Sequence, residues 1–264
     1  MRIPILTATV ALVISNVAWA AEPDPEMVSV EGRHIILKLY AEDMALLDDP
    51  KAWVDKLDRA YEALADLVGD VPFDGEKITI TSADDLHGAW ARCGNPIKWK
   101  REYIGKSFQE NVNKGDWLFG IVHEISHNFD LDYRWVWDAE LWANIKLEFV
   151  VEALDATVVF YWQAYRGEEL RSVFANSYAD ARSRGEYNWA VIHVRFAELR
   201  DDYGWEPFKE AFRAYPPESD PDCPSSLLGK FLLFIDLLSE ASGEDIQARF
   251  ETGEWEWMVG DLSA

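Results

Sequence analysis

The sequence predicts an α+β domain in which a small N-terminal β-sheet precedes a predominantly helical portion. Strand patterns are confined to the stretch before residue 82, whereas helical periodicity dominates from residue 115 onward. The 264 residues are 49% hydrophobic and 14% aromatic, which is enough apolar surface for one large core. The sequence has no internal repeat and no long linker, so we expect residues 21–264 to form a single domain.

The first twenty residues have the pattern of a secretory signal peptide. Arg2 precedes an apolar stretch from Ile3 to Val17, and Ala18-Trp19-Ala20 provides the small residues of a cleavage site. The apolar stretch is short for a membrane span, and no later stretch is long and apolar enough to cross a bilayer. We therefore expect cleavage after Ala20, a periplasmic or secreted protein, and no stable membrane insertion after cleavage.

The charge of the chain excludes one class of partner. The formal net charge is -23, from 48 acidic and 25 basic side chains, so a polyanion would be repelled and nucleic acid is not expected to bind. Acidity of this kind is typical of an exported protein surface.

Two cysteines, Cys93 and Cys223, lie far apart in the sequence. In an exported chain they could close one disulfide over a long loop or remain two buried thiols, and both alternatives stay open at this point. They lack the clustered spacing of a structural zinc site.

The N-terminal part predicts strands around one helix. Residues 28–40 form a strand region, because four aliphatic residues lie close together near its end. A helix is expected from Asp48-Asp49-Pro50, which supplies cap and first-turn residues, to Gly69. Residues 77–81 alternate as Lys-Ile-Thr-Ile-Thr and predict a short strand.

The remainder predicts a loop and then helices. Residues 82–114 contain several Gly, Asn and Pro and are expected to form a long functional loop with one short helix. A helix capped at Gly115-Asp116 should run to Phe129, and a long second helix should cover residues 137–166, with a break allowed by its length. Further helices are expected at residues 188–202, 205–215, 225–239 and from 244 onward.

The motif that carries chemistry is His123-Glu124-Ile125-Ser126-His127. Positions i and i+4 share one face of a helix, so both imidazoles can bind one cation while Glu124 lies beside them. Two neutral nitrogens suit Zn²⁺, and the adjacent carboxylate can take a proton from water whose pKa the metal has lowered. The apolar side of the helix would pack on a core, which leaves the His-Glu-His side facing a cleft.

A third metal ligand must come from elsewhere in the chain. The positions three and six residues after His127 hold Asp130 and Tyr133, which excludes the metzincin extension. The second helix offers Glu140, Glu148 and Glu152, with Asp138 just before them. Glu140 and Asn144 are four residues apart and share a face, so the carboxylate could bind metal while the amide orients a ligand. Spacing alone leaves these carboxylates open as alternatives.

These residues resemble the enhancin-like gluzincin peptidases (family M-sixty), which include viral and bacterial mucin-degrading enzymes. The resemblance covers about residues 76–240, and the matching segments are Gly94-Asn95-Pro96-Ile97, His123-Glu124-Ile125-Ser126-His127-Asn128, Glu140-Leu141-Trp142-Ala143-Asn144, Tyr203-Gly204-Trp205-Glu206-Pro207-Phe208-Lys209 and Phe212-Arg213-Ala214-Tyr215. It implies a zincin-like fold, a single Zn²⁺ ion and Glu140 as the third ligand. The family often has Gly where Ser126 stands and before its Glu, where this chain has Ala139.

Further residues are candidates for supporting roles. Asn144 and Asn128 are candidates for orienting the ligands. A second electrophile for the oxyanion could come from Tyr187, His193 or Tyr203. Of thirteen tryptophans, those near the motif could stack on a substrate: Trp135, Trp137 and Trp142.

The sequence therefore predicts an exported zinc peptidase. Its hypothetical substrates are proteins, including glycoproteins or mucin-like chains, with Glu124 as general base. Two alternatives stay open: a zinc-containing protein that binds glycoproteins without cutting them, and a zinc amidase acting on cell-wall peptides. An intact Glu124 favours hydrolysis, since a non-catalytic metal site does not need that carboxylate.

Overall fold

The computed structural model describes residues 26–84, 86–87, 89–160 and 163–264, and it is an α+β fold with a small N-terminal sheet and a mostly helical remainder. The expected signal peptide and its cleavage site after Ala20 lie outside the described residues. Within the described part of the chain, no helix combines the length and the apolar character that crossing a membrane requires.

A five-stranded sheet forms the N-terminal layer. Its strands are β1 (Met27–Glu31), β2 (Ile35–Tyr40), β3 (Ile78–Ala83), β4 (Ala91–Arg92) and β5 (Ile97–Lys100). The order across the sheet is β1-β2-β3-β5-β4. The central strands β2, β3 and β5 are parallel, whereas β1 and β4 are antiparallel to their neighbours. The two-residue strand β4 therefore forms one edge of the sheet.

The first strand region divides into two strands at Gly32. The buried carboxylate of Asp58 accepts hydrogen bonds from the backbone N–H groups of the turn, at 2.6, 2.8 and 2.9 Å, from Arg33, His34 and Ile35. A Cβ atom at Gly32 would stand 2.3 Å from Asp58 Oδ2, so only glycine permits this approach. Asp58 belongs to helix α2 (Pro50–Val68) and thereby joins that helix to the hairpin.

Helix α2 has the predicted boundaries. The Asp49 side chain accepts a hydrogen bond from the Ala52 N–H at 2.9 Å, and Pro50 occupies the first turn. Gly69 ends the helix in the left-handed region at φ 73°. A four-residue helix, α1 (Ala41–Met44), precedes it.

The predicted loop over residues 82–114 is largely ordered structure. It contains β4, β5 and helix α3 (Arg101–Glu110). In β5 the buried Ile97 and Trp99 alternate with the exposed Lys98, a pattern over four residues that is too short to recognise in sequence. Helix α3 buries Ile104 and Phe108, which are one turn apart.

The long helix predicted over residues 137–166 is wrong in its second half. Helix α5 (Ala139–Ala153) ends before Asp155, which has a φ of 46°. The chain then forms strands β7 (Thr157–Phe160) and β8 (Gln163–Arg166). The β-branched residues of β7 suit a strand, which pairs in parallel with β6 (Trp117–Leu118).

Strand β6 also shortens the motif helix. Helix α4 (Phe119–Asn128) begins three residues after Asp116, and no side chain caps its start. The predicted helix start at Gly115-Asp116 is therefore wrong, because Trp117 and Leu118 form a strand that pairs with β7.

The C-terminal half is helical. Its helices are α6 (Gly167–Ser183), α7 (Trp189–Tyr203), α8 (Glu206–Ala214), α9 (Leu227–Ser242) and α10 (Thr252–Leu262). The sequence missed α6 as a separate element, and the last helix begins at Thr252 rather than Glu244 because a 3₁₀ turn, Gln247–Arg249, comes first.

An aromatic core joins these helices to α5. Trp142 is fully buried, and its ring lies 4.6–5.8 Å, centroid to centroid, from four other aromatic rings: Trp137, Phe196, Phe212 and Phe234. Aromatic pairs of this kind contribute beyond their buried area. The cluster fixes the position of α5 and thus of the residues that α5 presents to α4.

Candidate metal centre

Helix α4 places the two motif histidines one turn apart on the same face. The Nε2 atoms of His123 and His127 are 3.1 Å apart, and the rings stand at 89° to each other. Both rings are largely buried, with 11% and 9% of their side chains exposed. The predicted sharing of one face is confirmed.

Helix α5 brings Glu140 to the same point. The Asp138 side chain accepts a hydrogen bond from the Leu141 N–H at 2.8 Å and so caps the helix that carries Glu140 in its first turn. Glu140 Oε2 lies 3.2 Å from His123 Nε2, and Oε1 lies 3.6 Å from His127 Nε2. Among the residues that the structure describes, these three form a group able to hold a metal ion.

The spacing of the three ligand atoms fits a small tetrahedral cation. Nitrogen and oxygen ligands that stand about 2.0–2.1 Å from a tetrahedral zinc are about 3.3 Å from each other. The observed separations of 3.1, 3.2 and 3.6 Å bracket that value. Two imidazoles and one carboxylate also leave a fourth position open, as catalytic sites do.

Both histidines are oriented through their second ring nitrogen. Asn144 Oδ1 lies 3.0 Å from His123 Nδ1 and accepts its hydrogen, which leaves Nε2 as the free electron-pair donor. Asp130 Oδ2 lies 3.5 Å from His127 Nδ1 and acts on His127 in the same way. Asp130 is in turn paired with Lys146, whose side chain is completely buried. The sequence pointed to Asn144, but Asp130 and Lys146 were missed because no local spacing connects them.

The charges of the triad support one another. Hydrogen bonds to His123 and His127 hold the pKa of Glu140 well below its usual range. Burial lowers the pKa of His127, but Asp130 and Glu140 outweigh that effect and raise it to about 9. A metal cation bound between these residues would replace the positive charge of protonated His127 beside the carboxylates of Asp130 and Glu140.

Glu124 lies beside the triad without belonging to it. Burial raises the pKa of its carboxyl group, while the neighbouring His123 and His127 oppose the shift. A half-buried carboxylate with a raised pKa is a better proton acceptor at neutral pH than an ordinary glutamate. Its role as general base remains a prediction.

Asn128 serves the neighbouring loop. Its Oδ1 accepts from the Gly94 N–H at 2.7 Å, and its Nδ2 donates to the Gly94 carbonyl at 3.0 Å. The side chain of Asn128 therefore does not orient a candidate metal ligand, as the sequence suggested. It instead holds the segment between β4 and β5 against α4. The matching segment Gly94-Asn95-Pro96-Ile97 lies at this contact.

Cys93 adjoins the site as a free thiol, and Cys223 is also free, so the disulfide alternative is not formed. Burial raises the pKa of the Cys93 thiol, and the nearby charges of Glu124, Asp130 and Glu140 raise it further. The thiol therefore stays protonated and is a poor nucleophile.

The other candidate ligands are engaged elsewhere. Glu148 is buried beside His193, with 3.1 Å between its Oε1 and His193 Nε2. Glu152 accepts from Trp205 Nε1 at 2.8 Å and pairs with Arg200. Glu140 is left as the carboxylate that reaches both motif histidines.

Two of the candidate oxyanion residues, His193 and Tyr203, lie on helix α7, and Tyr187 lies in the loop before it. His193 is 2% exposed on α7 beside Glu148. The Tyr203 ring lies under the Arg249 guanidinium, at 5.5 Å. Tyr187 packs against α10, 6.5 Å from the ring of Trp257. None of the contacts described for these three residues reaches the triad, and their roles remain predictions.

The candidate stacking tryptophans are core residues. Trp135 is fully buried and packs against Phe212 and Tyr215. Trp137 is 5% exposed and belongs to the aromatic core with Trp142. Their faces are covered by other rings, so in this structure they do not offer a surface for a sugar.

Comparison with known proteins relates the chain to channel-associated factors by sequence. No family model matches it. It is 26% identical to the TRPM8 channel-associated factor 2 of Bos taurus over 86% of this chain, and 22% identical to the human TRPM8 channel-associated factor 1 over the same share. The chain spans about a quarter of the length of these relatives (25% and 24%).

Solved structures share the fold. A conserved Bacillus anthracis protein of unknown function superposes with a TM-score of 0.66 at 19% identity, over 91% of this chain and 52% of that one. A metallopeptidase from Bacteroides thetaiotaomicron gives 0.56 at 15% identity, over 87% and 41%. A metallopeptidase solved in complex with Tn antigen gives 0.56 at 17% identity, over 87% and 45%.

Proposed function

We propose that this chain is a zinc-dependent peptidase with Glu124 as its general base. The observation that carries the proposal is the position of Glu124 beside a group of two histidines and one carboxylate whose ligand atoms fit a tetrahedral cation. The donor set contains no thiolate and suits Zn²⁺. The fold shared with two metallopeptidases is consistent with this reading.

A zinc ion held by His123, His127 and Glu140 would supply Lewis acidity that polarises the peptide carbonyl and lowers the pKa of water. Glu124 takes one proton from the attacking water as the new C–O bond forms at the carbonyl carbon. The C–N bond then breaks, and Glu124 returns the proton to the leaving amine. One water is consumed for each peptide bond, and Glu124 ends in its starting state.

Proteins are the proposed substrates, with glycoproteins among them. A metallopeptidase with a similar fold was solved in complex with Tn antigen, which supports a substrate of this class. We further propose that the chain acts outside the cytoplasm after removal of residues 1–20, a prediction that rests on the sequence pattern alone.

A second candidate function is binding without cleavage. The names of the sequence relatives refer to association with a channel, which favours a protein that recognises a partner. In that case the metal centre would stabilise the fold, and Glu124 could be replaced without loss of function.

The test compares the purified mature chain with its Glu124→Gln variant. Each is incubated with a plain and a glycosylated protein, with and without chelator, and bound zinc is quantified. The matched control is Glu240→Gln, which alters an exposed glutamate on α9. The proposal expects one zinc per chain in all three proteins and cleavage by the unaltered chain and the control alone.

Two results decide against the proposal. If Glu124→Gln cuts as fast as the unaltered chain, Glu124 is not the base. If all three proteins hold zinc and none cuts any substrate, the binding function takes precedence.

A further inference from the structure

An apolar cleft adjoins the metal centre. It has a volume of about 360 Å³ and lies between the edge strand β4, the start of α4 and the end of β7. The described residues that line it are Trp90, Ala91, Asn111, Leu118, Phe119, Gly120, Glu124, Val159 and Phe160. Among these, Glu124 is the one ionisable side chain, in a protein whose net charge is -23.

The cleft is continuous with the catalytic residues. The Phe119 ring stacks on the imidazole of His123, with centroids 5.6 Å apart and an angle of 20°. Phe160 packs on Phe119 at 4.5 Å. Glu124 belongs both to the lining and to the metal site. A group seated in the cleft therefore lies next to the bond on which Glu124 acts.

The walls of the cleft are aromatic and partly open. Trp90, Phe119 and Phe160 are each only half-buried, whereas many other aromatic side chains among the described residues are buried. Trp90 packs on Trp99 at 5.5 Å, and its carbonyl accepts from the Lys100 N–H at 3.0 Å, so this wall is anchored to β5. Half-buried aromatic faces that converge on one cavity are typical of a binding site.

Gly120 allows the cleft to have this shape. A Cβ atom at this position would stand 2.4 Å from the Trp90 ring, so a side chain here would push the indole away from α4. The glycine lets the indole lie against the first turn of the motif helix and form the wall opposite β7.

From these observations we infer that the cleft is a specificity pocket, which takes a large apolar side chain of the substrate beside the scissile bond. This inference rests on the proposed peptidase function. A volume of about 360 Å³ is near the lower limit of ligand pockets and suits one or two side chains. The lining has few groups that could bond the hydroxyls of a sugar, so any glycan of the substrate would lie outside this pocket.

The experiment uses a peptide library that is randomised at the positions flanking the cleaved bond, with products identified by mass spectrometry. The unaltered chain should favour Phe, Leu or Met over Asp at one flanking position by about 10- to 100-fold in kcat/KM. The Phe160→Ala variant should lose most of this preference while keeping one zinc per chain. The matched control is Phe73→Ala, which removes a 39% exposed ring outside the cleft and should keep the preference.

A binding measurement separates the inference from the proposed function. Calorimetry on the zinc-loaded Glu124→Gln variant compares one peptide containing Phe with the same peptide containing Asp. Cleavage without any apolar preference would overturn the pocket and leave the peptidase standing. If the Phe peptide binds this variant about 10-fold or more tightly than the Asp peptide, and the unaltered chain cuts no substrate, the pocket is supported and the peptidase is overturned.

Discussion

Lys146 and Asp130 form an ion pair inside the protein, directly behind the candidate metal ligand His127. The Lys146 side chain is 0% exposed and that of Asp130 is 6% exposed. Burial lowers the pKa of Lys146, and the charge of Asp130 opposes that shift. Asp130 thus holds His127 on one side and neutralises a buried ammonium group on the other.

Replacing Lys146 by Met should destabilise the fold by roughly 3–5 kcal/mol, because the Asp130 carboxylate would remain buried without its partner. The free energy of unfolding is measured by urea denaturation of the metal-free protein. The control is Lys51→Met, which breaks an exposed ion pair with Asp55 and should cost about 1 kcal/mol or less. If both substitutions lower the free energy of unfolding by the same amount, the buried ion pair does not stabilise the fold more than an exposed one.

Replacing Asn144 by Ala should weaken zinc binding by about 10- to 100-fold, because His123 would lose the acceptor that fixes its ring. The zinc affinity is measured by titration against a competing chelator. Asn176→Ala, at an exposed position on α6, serves as the matched control and should leave the affinity unchanged. An unaltered affinity in Asn144→Ala would show that packing alone orients His123.

Replacing Asn128 by Ala should reduce peptidase activity and leave the zinc content at one per chain. Both polar atoms of Asn128 bond the backbone of Gly94, so their loss frees the segment beside β4 and not the metal ligands. Zinc content and cleavage rate are measured on the same preparation. Loss of zinc in this variant would instead restore Asn128 to a role in orienting the ligands.

The motif could be predicted because its geometry is local, whereas spacing alone left several carboxylates open as the third candidate ligand and Glu140 followed from the family resemblance. A helix fixes the relation of His123 to His127, and likewise that of Glu140 to Asn144, whatever the rest of the chain does. The support behind His127 could not be predicted in the same way. Asp130 lies in the turn after α4 and Lys146 lies on α5, sixteen residues away, and nothing in their spacing shows that packing brings them together.

The sheet was harder to predict than the helices for a physical reason. Strand β4 has two residues, β5 has four and β6 has two, so alternation has no length over which to appear. Strand β7 follows α5 after a gap of three residues and shares its apolar character, which made one long helix the simpler interpretation. These short segments form strands because they pair with other strands, some of them distant in the sequence.

Replacing Trp137 by Ala should lower stability by roughly 3–5 kcal/mol without a change in KM. The indole is 5% exposed and packs 4.9 Å from Trp142 and 5.1 Å from Phe231, so its removal leaves a cavity in the aromatic core. Stability is followed by thermal and urea unfolding, and KM is measured well below the midpoint of unfolding. A KM raised several-fold in a folded variant would mean that Trp137 contacts the substrate, as the sequence first suggested, and that the core opens when substrate binds.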